Sequence, residues 1–308
     1  MRVQSALDAA GQQARQIEGL WWIFFWVCTV VFVLVAGALL FALFRRRRGE
    51  GGERRAIGAV TVATVLTVAT LFFLLISSVA VSRELSNHGP VAVTIEVTGR
   101  QWWWQFDYDH EDKSKRFTTA NELAIPVGQP VRLKLRSGDV IHDLWIPNLG
   151  PKRDLTPGTD AALVLRAEKP GVYRGQCAEF CGQQHAKMAF WVNAMPKDEY
   201  LAWAEEQRMP SRVPTTASQR KGLEAFMNAP CPLCHNIAGT KASGKTAPDL
   251  THIGSRRSLA AATIPNRRGY LAAWILDPQH IKPGNFMPPM VMKGSDLNPL
   301  LDYLESLE

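Results

Sequence analysis

Two long, uncharged apolar runs near the start of this chain restrict its fold more than any other feature. Residues 20–43 read LWWIFFWVCTVVFVLVAGALLFAL, and residues 57–81 read IGAVTVATVLTVATLFFLLISSVAV. Each is longer than the ~20 apolar residues a helix needs to cross a bilayer. In hydrocarbon only a helix or a closed barrel satisfies its own backbone, so both runs are predicted as transmembrane helices. Arg45 to Arg48, Arg54 and Arg55 lie between them. The positive-inside rule puts that loop in the cytoplasm, which sends both termini and everything after residue 82 to the extracytoplasmic side. Trp21, Trp22 and Trp26 suit the outer interfacial belt. A cleaved signal peptide fits poorly, because mixed-polarity residues precede an apolar run that is too long. The second run has no charge and offers no proton path by itself.

Charge is consistent with this topology. Residues 1–82 carry eight Lys/Arg and four Asp/Glu, residues 83–213 carry seventeen of each, and residues 214–308 carry ten and seven. More than half of the +7 excess therefore belongs to the N-terminal segment, and no nucleic-acid patch is read from it.

From residue 90 to 210 the pattern becomes short alternating strands: VAVTIEVTGRQWWWQFDY, ELAIPVGQPVRLKLRS, VIHDLWIPN, AALVLRA, VYRGQCAEFC and MAFWVNAMP, separated by Gly, Pro and Asn. This spacing predicts a β-sandwich or barrel. A short helix is expected over 196–207, with Pro196 at its start. Of the five cysteines, Cys28 sits inside the first apolar run as a small core or lipid-facing residue. The other four form two pairs, each beside a histidine, which favours metal and haem over a disulfide framework.

The first pair lies in the run Cys177-Ala-Glu179-Phe-Cys181-Gly-Gln-Gln-His185-Ala-Lys-Met188, with His142 35 residues upstream of Cys177. Two thiolates, two imidazoles and a thioether suit copper and not calcium or magnesium. Zinc would accept two Cys and two His but has no use for the methionine. One blue-copper ion needs a single cysteine, whereas two sulfurs four residues apart can bridge two copper ions. His142 with Cys177-x-Glu179-x-Cys181-x-x-x-His185-x-x-Met188 resembles the dinuclear CuA site of cytochrome c oxidase subunit II. The resemblance implies a cupredoxin-like sandwich in which Cys177 and Cys181 bridge the coppers. It implies His142 and Met188 on one copper, and His185 with the Glu179 backbone carbonyl on the other. It also implies a Glu179 carboxylate directed towards a magnesium ion shared with subunit I. Trp102-Trp103-Trp104 resembles the family's aromatic stretch, where an exposed tryptophan takes electrons from cytochrome c; Trp102 is the expected residue. Pro147 to Asp154 resembles the loop that faces subunit I, which would place Arg153 and Asp154 at an interface or water channel, with ordinary surface charge the alternative. The family's acidic residue at the start of the second span has no counterpart beyond Glu50 and Glu53, so that role is unassigned.

A linker, MPSRVPTTAS, leads into SQRKGLEAFMNAPCPLCHNI. Cys231-Pro-Leu-Cys234-His235 is the C-x-x-C-H pattern of covalent c-type haem attachment, with His235 placed to ligate iron. A thioredoxin-like C-x-x-C needs no following histidine. Met287, in KPGNFMPPM, is the expected sixth ligand; Met290, Met292 and His280 compete with it. The region resembles an all-α class I cytochrome c, and SDLNPLLDYLESL fits its last helix. His/Met ligation raises the haem potential. His252 is expected to be structural or to lie near the haem edge.

Three segments follow: a transmembrane hairpin over 1–82, a cupredoxin-like domain over 83–210 and a cytochrome c domain over 214–308. Together the resemblances imply the electron-input subunit of a caa-type haem–copper oxidase in a bacterial inner membrane, working with subunits I and III. Electrons from cytochrome c or a quinol:cytochrome c reductase would pass from haem to copper and on to subunit I for oxygen reduction coupled to proton translocation. A nitric-oxide reductase subunit, and more distantly a copper chaperone or thiol sensor, are the alternatives. A quinol oxidase would lack the copper ligands, and a nitrous-oxide reductase would need a large multi-histidine domain.

Overall fold

The structure, a computed structural model, describes residues 3–44, 52–86 and 89–308. Arg45 to Arg48 and Glu50 of the expected cytoplasmic loop lie outside the described residues. The chain forms two compact units, one of residues 13–88 and one that joins the N-terminal residues through Gln12 to residues 89–308.

The first unit consists of helices α1 (Gln12–Phe44) and α2 (Glu53–Leu85). Each has 33 residues and so runs for about 50 Å, longer than the predicted runs at both ends. Their apolar side chains face outward: Phe32, Leu34, Leu43, Val60 and Ile76 are exposed. An outward apolar surface of this kind suits lipid and not water.

In the second unit, β1 (Val93–Arg100), β2 (Trp103–Asp109), β3 (Phe117–Ala120), β4 (Glu122–Pro126), β5 (Val131–Ser137), β6 (His142–Trp145), β7 (Arg153–Leu155), β8 (Ala161–Leu165), β9 (Gly171–Cys177) and β10 (Ala189–Met195) build a sandwich. The two five-stranded sheets run β3-β2-β1-β5-β8 and β4-β10-β9-β6-β7. Neighbours are antiparallel except β1 with β5 and β10 with β4. In β5, Val131, Leu133 and Leu135 are buried while the residues between them are exposed, the period-2 burial expected of a strand with one face on the core. They share one core with Trp104 and Phe106 of the same sheet and with Tyr173 and Phe190 of the facing one. Residues 1–82 are expected to form one hairpin, but residues 3–12 lie on the sandwich. Ala10 N and Gly11 N both donate to Asn148 O, and Gln12 N donates to Arg166 O at 3.0 Å. These bonds satisfy backbone carbonyls at 148 and 166, which composition alone does not reveal.

The chain continues through α3 (Lys197–Arg208), α4 (Ala217–Asn228), the single turn α5 (Cys231–Cys234), strands β11 (Ser258–Leu259) and β12 (Ile264–Pro265), and helices α6 (Arg268–Leu276), α7 (Pro278–Ile281) and α8 (Gly294–Glu305). A Thr216/Gln219 capping box starts α4, satisfying two backbone donors reciprocally. Helices α4 and α8 cross at Gly222, where a Cβ would sit 2.0 Å from Pro299 O. Only glycine allows that approach. The expected all-α domain thus carries one small two-stranded ribbon.

Candidate metal and haem centres

The β6–β9 pairing sets Leu144 opposite Cys177. His142, two residues before Leu144 on β6, is thereby brought beside the β9–β10 loop. Cys177 N donates to Met188 O at 2.9 Å and closes that loop, and Ala178 N donates to Asp143 O at 3.1 Å. A 3-10 turn at His185–Lys187 returns the chain to β10. His142, Cys177, Cys181 and Met188 are all buried.

Six expected donors meet here. The Cys177 and Cys181 sulfurs are 3.7 Å apart. His142 Nδ1 is 3.9 Å from Cys177 Sγ, and Glu179 O is 3.2 Å from the same sulfur. His185 Nδ1 and Met188 Sδ are each 3.7 Å from Cys181 Sγ. His142, Cys177 and Cys181 also form a buried group whose ligand atoms lie within 4.8 Å of one another. The Cys181 hydrogen bond favours the Cys177 thiolate, and that thiolate drives the Cys181 thiol up. Two such sulfurs share one proton, which an arriving cation would displace. The donor set fits two bridged soft cations, with every donor within reach of the sulfur pair.

Asp139 was not among the expected site residues. Its Oδ1 accepts from His142 Nε2 at 2.7 Å, and its carboxylate also accepts from Gln101 N and Val140 N. Although burial alone would raise the Asp139 pKa, the His142, Gln101 and Val140 bonds together lower it. Burial opposes protonation of His142, but the Asp139 bond and the Cys177 sulfur outweigh it and raise its pKa. With Nε2–H given to Asp139, Nδ1 is left as the ligand atom, the carboxylate–histidine–metal arrangement that orients a ligand ring. The sequence signal was the spacing Asp139-x-x-His142, uninformative without the turn that folds it back.

The tryptophans divide. Trp104 is fully buried in the core and Trp103 is half-buried under Arg100. Trp102 is only 8 % exposed. Its indole N–H donates to Cys181 O at 2.9 Å, and Phe286 stacks on it with ring centroids 5.8 Å apart and planes 15° apart. The tryptophan expected to be exposed is covered by the C-terminal region of its own chain. The Glu179 side chain is exposed. Arg153 and Asp154 lie on β7. Burial, then the neighbouring Asp154, pushes Asp143 up to about 7.

In the C-terminal domain, Cys231 and Cys234 are free thiols at the two ends of one helical turn. Pro248 O is 2.7 Å from His235 Nδ1. Burial lowers the His235 pKa, so the ring stays neutral with Nε2 available as an iron ligand. Gly244 allows close packing behind the turn, since a Cβ there would lie 2.4 Å from the Cys234 carbonyl carbon. His252 and Arg256 are buried, and both His252 ring nitrogens and Arg256 Nε lack a partner among the described residues. Buried unpartnered polar atoms of this kind fit a group that brings polar oxygens into the domain, as a haem does. Met290 and Met292 pack against the domain core, and His280 is exposed. Met287 is outside that core, its backbone fixed by Asn285 Oδ1 and Gln279 Nε2.

Comparison with known proteins identifies the family. Residues 110–195 match the family described as cytochrome c oxidase subunit II, periplasmic domain, and residues 219–308 match cytochrome c. The cytochrome c oxidase subunit 2 of Alkalihalophilus pseudofirmus is 34 % identical over 99 % of this chain and 91 % of its own length. That of Bacillus subtilis is 31 % identical over 80 % and 73 %. Among solved structures, the periplasmic domain of subunit II of cytochrome oxidase of Bradyrhizobium japonicum is similar at 28 % identity and a TM-score of 0.37, covering 40 % of this chain and 97 % of that one. Because it aligns with the Alkalihalophilus pseudofirmus subunit over nearly its whole length and carries both matches in order, the chain belongs to the cytochrome c oxidase subunit II family, in the form that continues into a cytochrome c domain.

Proposed function

We propose that this chain is the membrane-anchored electron-input subunit of a haem–copper oxidase, carrying electrons from a covalent haem c through dinuclear CuA to subunit I, where oxygen is reduced to water with proton translocation. The observation that carries this reading is the convergence of six soft and intermediate donors on one buried sulfur pair, in the same compact unit as a C-x-x-C-H turn. When bound, the haem and the copper pair supply reversible one-electron chemistry.

The protein's own residues set the conditions for that chemistry. Cys231 and Cys234 would hold the haem covalently, and His235 and Met287 would ligate its iron. Cys177, Cys181, His142, Met188, His185 and the Glu179 carbonyl would hold the two coppers. Burial of His142, Cys177, Cys181 and Met188 keeps water from the sulfurs and limits solvent rearrangement on each charge change. The exposed Glu179 carboxylate would be available to a magnesium ion shared with subunit I. Trp102 conducts electrons towards Cys181. The redox domains face the extracytoplasmic side, subunits I and III are the membrane partners, and a cytochrome c or a quinol:cytochrome c reductase is the donor.

The test uses the oxidase complex purified with the full chain. It should contain a c-type haem band and a mixed-valence copper electron-spin signal. Cys181→Ser should abolish the copper signal and leave the haem band. A wild-type chain that binds zinc only, or a single copper without electron sharing, refutes the dinuclear reading.

A further inference from the structure

The face of the haem domain that carries Met287 is bolted to the copper loop. Lys282, five residues before Met287, is 3 % exposed. Its Nζ donates to Trp102 O at 2.8 Å, Lys187 O at 3.0 Å and Ala260 O at 3.3 Å. The first two carbonyls belong to the sandwich and the third to the haem domain. No carboxylate pairs with this lysine among the described residues. A buried lysine whose three donors all go to carbonyls, two of them across a domain boundary, holds those segments together.

The bonds around it follow the same seam. Gln184 Nε2 donates to Pro283 O at 2.7 Å, and Lys187 Nζ donates to Ile281 O. Ala189 N, next to Met188, donates to Ala261 O at 3.2 Å. Gly284 comes so close that a Cβ would lie 2.2 Å from Gln183 Oε1. The carbonyls of Ala260 and Ala261 are presented by three consecutive alanines, Ala260 to Ala262, with φ between 54° and 57°. A run of left-handed alanines is unfavourable alone, so the contacts it makes across the seam oppose its relaxation.

We propose that Lys282 is a positioning residue for electron transfer between the two redox domains, clamping the Met287 loop onto the copper loop so that the Phe286–Trp102 stack bridges them. This rests on the haem-to-copper reading above. The contacts run in one line: Met287 is bonded to Phe286, Phe286 stacks on Trp102, and the Trp102 indole N–H reaches Cys181 O. Phe286 is 75 % exposed, so no core fixes its ring, and its placement depends on the loop Lys282 holds. One electron crosses per event; the haem side loses what the copper side gains, and no bond or proton changes in the bridge.

The experiment compares wild type, Lys282→Met and Phe286→Ala in the intact oxidase complex. It measures the haem band, the copper electron-spin signal, hydrogen exchange of peptides spanning 182–189 and 281–287, and the rate of haem-to-copper electron transfer after flash reduction of the haem. Lys282→Met should keep both spectroscopic signals, raise exchange in both peptides and slow transfer on the order of tenfold to a hundredfold, as small misplacements do. Phe286→Ala should slow transfer without raising exchange at 182–189. Wild-type transfer rates in both variants, or unchanged exchange in Lys282→Met, overturn the proposal. Loss of either signal in the wild-type complex would instead overturn the haem-to-copper reading.

Discussion

Replacing Asp139 with Asn keeps the shape of the side chain and removes its charge. His142 is fully buried, so its Nε2–H cannot turn to water instead. The Asp139 carboxylate now accepts from three donors, His142 Nε2, Gln101 N and Val140 N, each at 2.7 Å. An asparagine amide has one acceptor oxygen, so its NH2 would face the Gln101 or His142 N–H. A hydrogen bond to a charged group contributes about 1.5–3 kcal/mol. Loss of an outer partner of a metal-bound histidine weakens metal binding by about 10–100-fold, which is about 1.4–2.8 kcal/mol. The two figures agree, so Asp139→Asn should weaken copper retention by one to two powers of ten. Titrating the complex with a copper chelator, while following the mixed-valence electron-spin signal, measures this; the haem band serves as the internal control. Chelator resistance within about twofold of wild type would refute the claim that Asp139 holds the His142 ring for the metal.

Three further outcomes follow from packing and titration. Gly175→Ala would place a Cβ 2.2 Å from Phe190 Cζ in the sandwich core, and forced overpacking costs about 1–3 kcal/mol; thermal unfolding should shift down, and an unchanged midpoint would contradict the packing. Gly244→Ala would press on the Cys234 carbonyl carbon at 2.4 Å, so the yield of covalent haem per chain, read from the haem band of denatured protein, should fall while copper content holds. Glu122, whose carboxylate accepts from Arg257 N at 2.6 Å, is raised above its ordinary 4.5 by burial despite Arg256 and Arg257 nearby. The folded protein therefore holds that proton more tightly, and the stability it contributes is full below about 4.5 and lost as pH rises through the raised value. Glu122→Gln should flatten the stability–pH curve above 4.5 and gain on wild type towards neutrality; parallel curves would contradict the assignment.

The donor set was legible before folding because ligand chemistry is a property of residue type and close spacing. Cys177, Glu179, Cys181, His185 and Met188 occupy one loop, and Cys231, Cys234 and His235 occupy one turn, so their meeting needs little tertiary help. His142 was counted among the donors by residue type although it lies 35 residues upstream of Cys177, and it reaches the sulfurs because β6 pairs with β9. The two apolar spans were equally plain, since a length of uncharged sequence is itself the physical requirement. The helices run past both ends of those spans, and residues 3–12 leave the hairpin for the sandwich, because backbone pairing and not hydropathy decides where such segments end.

What the sequence alone determined, then, is the kind of chemistry: two thiol pairs with their histidines, a membrane anchor and a strand-rich region between. Tertiary structure decided what each redox group touches. It put the Asp139 carboxylate behind His142 and Pro248 O behind His235, contacts carried by a turn and by a backbone atom with no residue signature. It also turned Trp102 from an expected surface residue into one stacked beneath Phe286, 184 positions along the chain. The reason is physical: Lys282 reads in sequence as an ordinary surface charge, and only the docked domains bring three carbonyls close enough to take its donors.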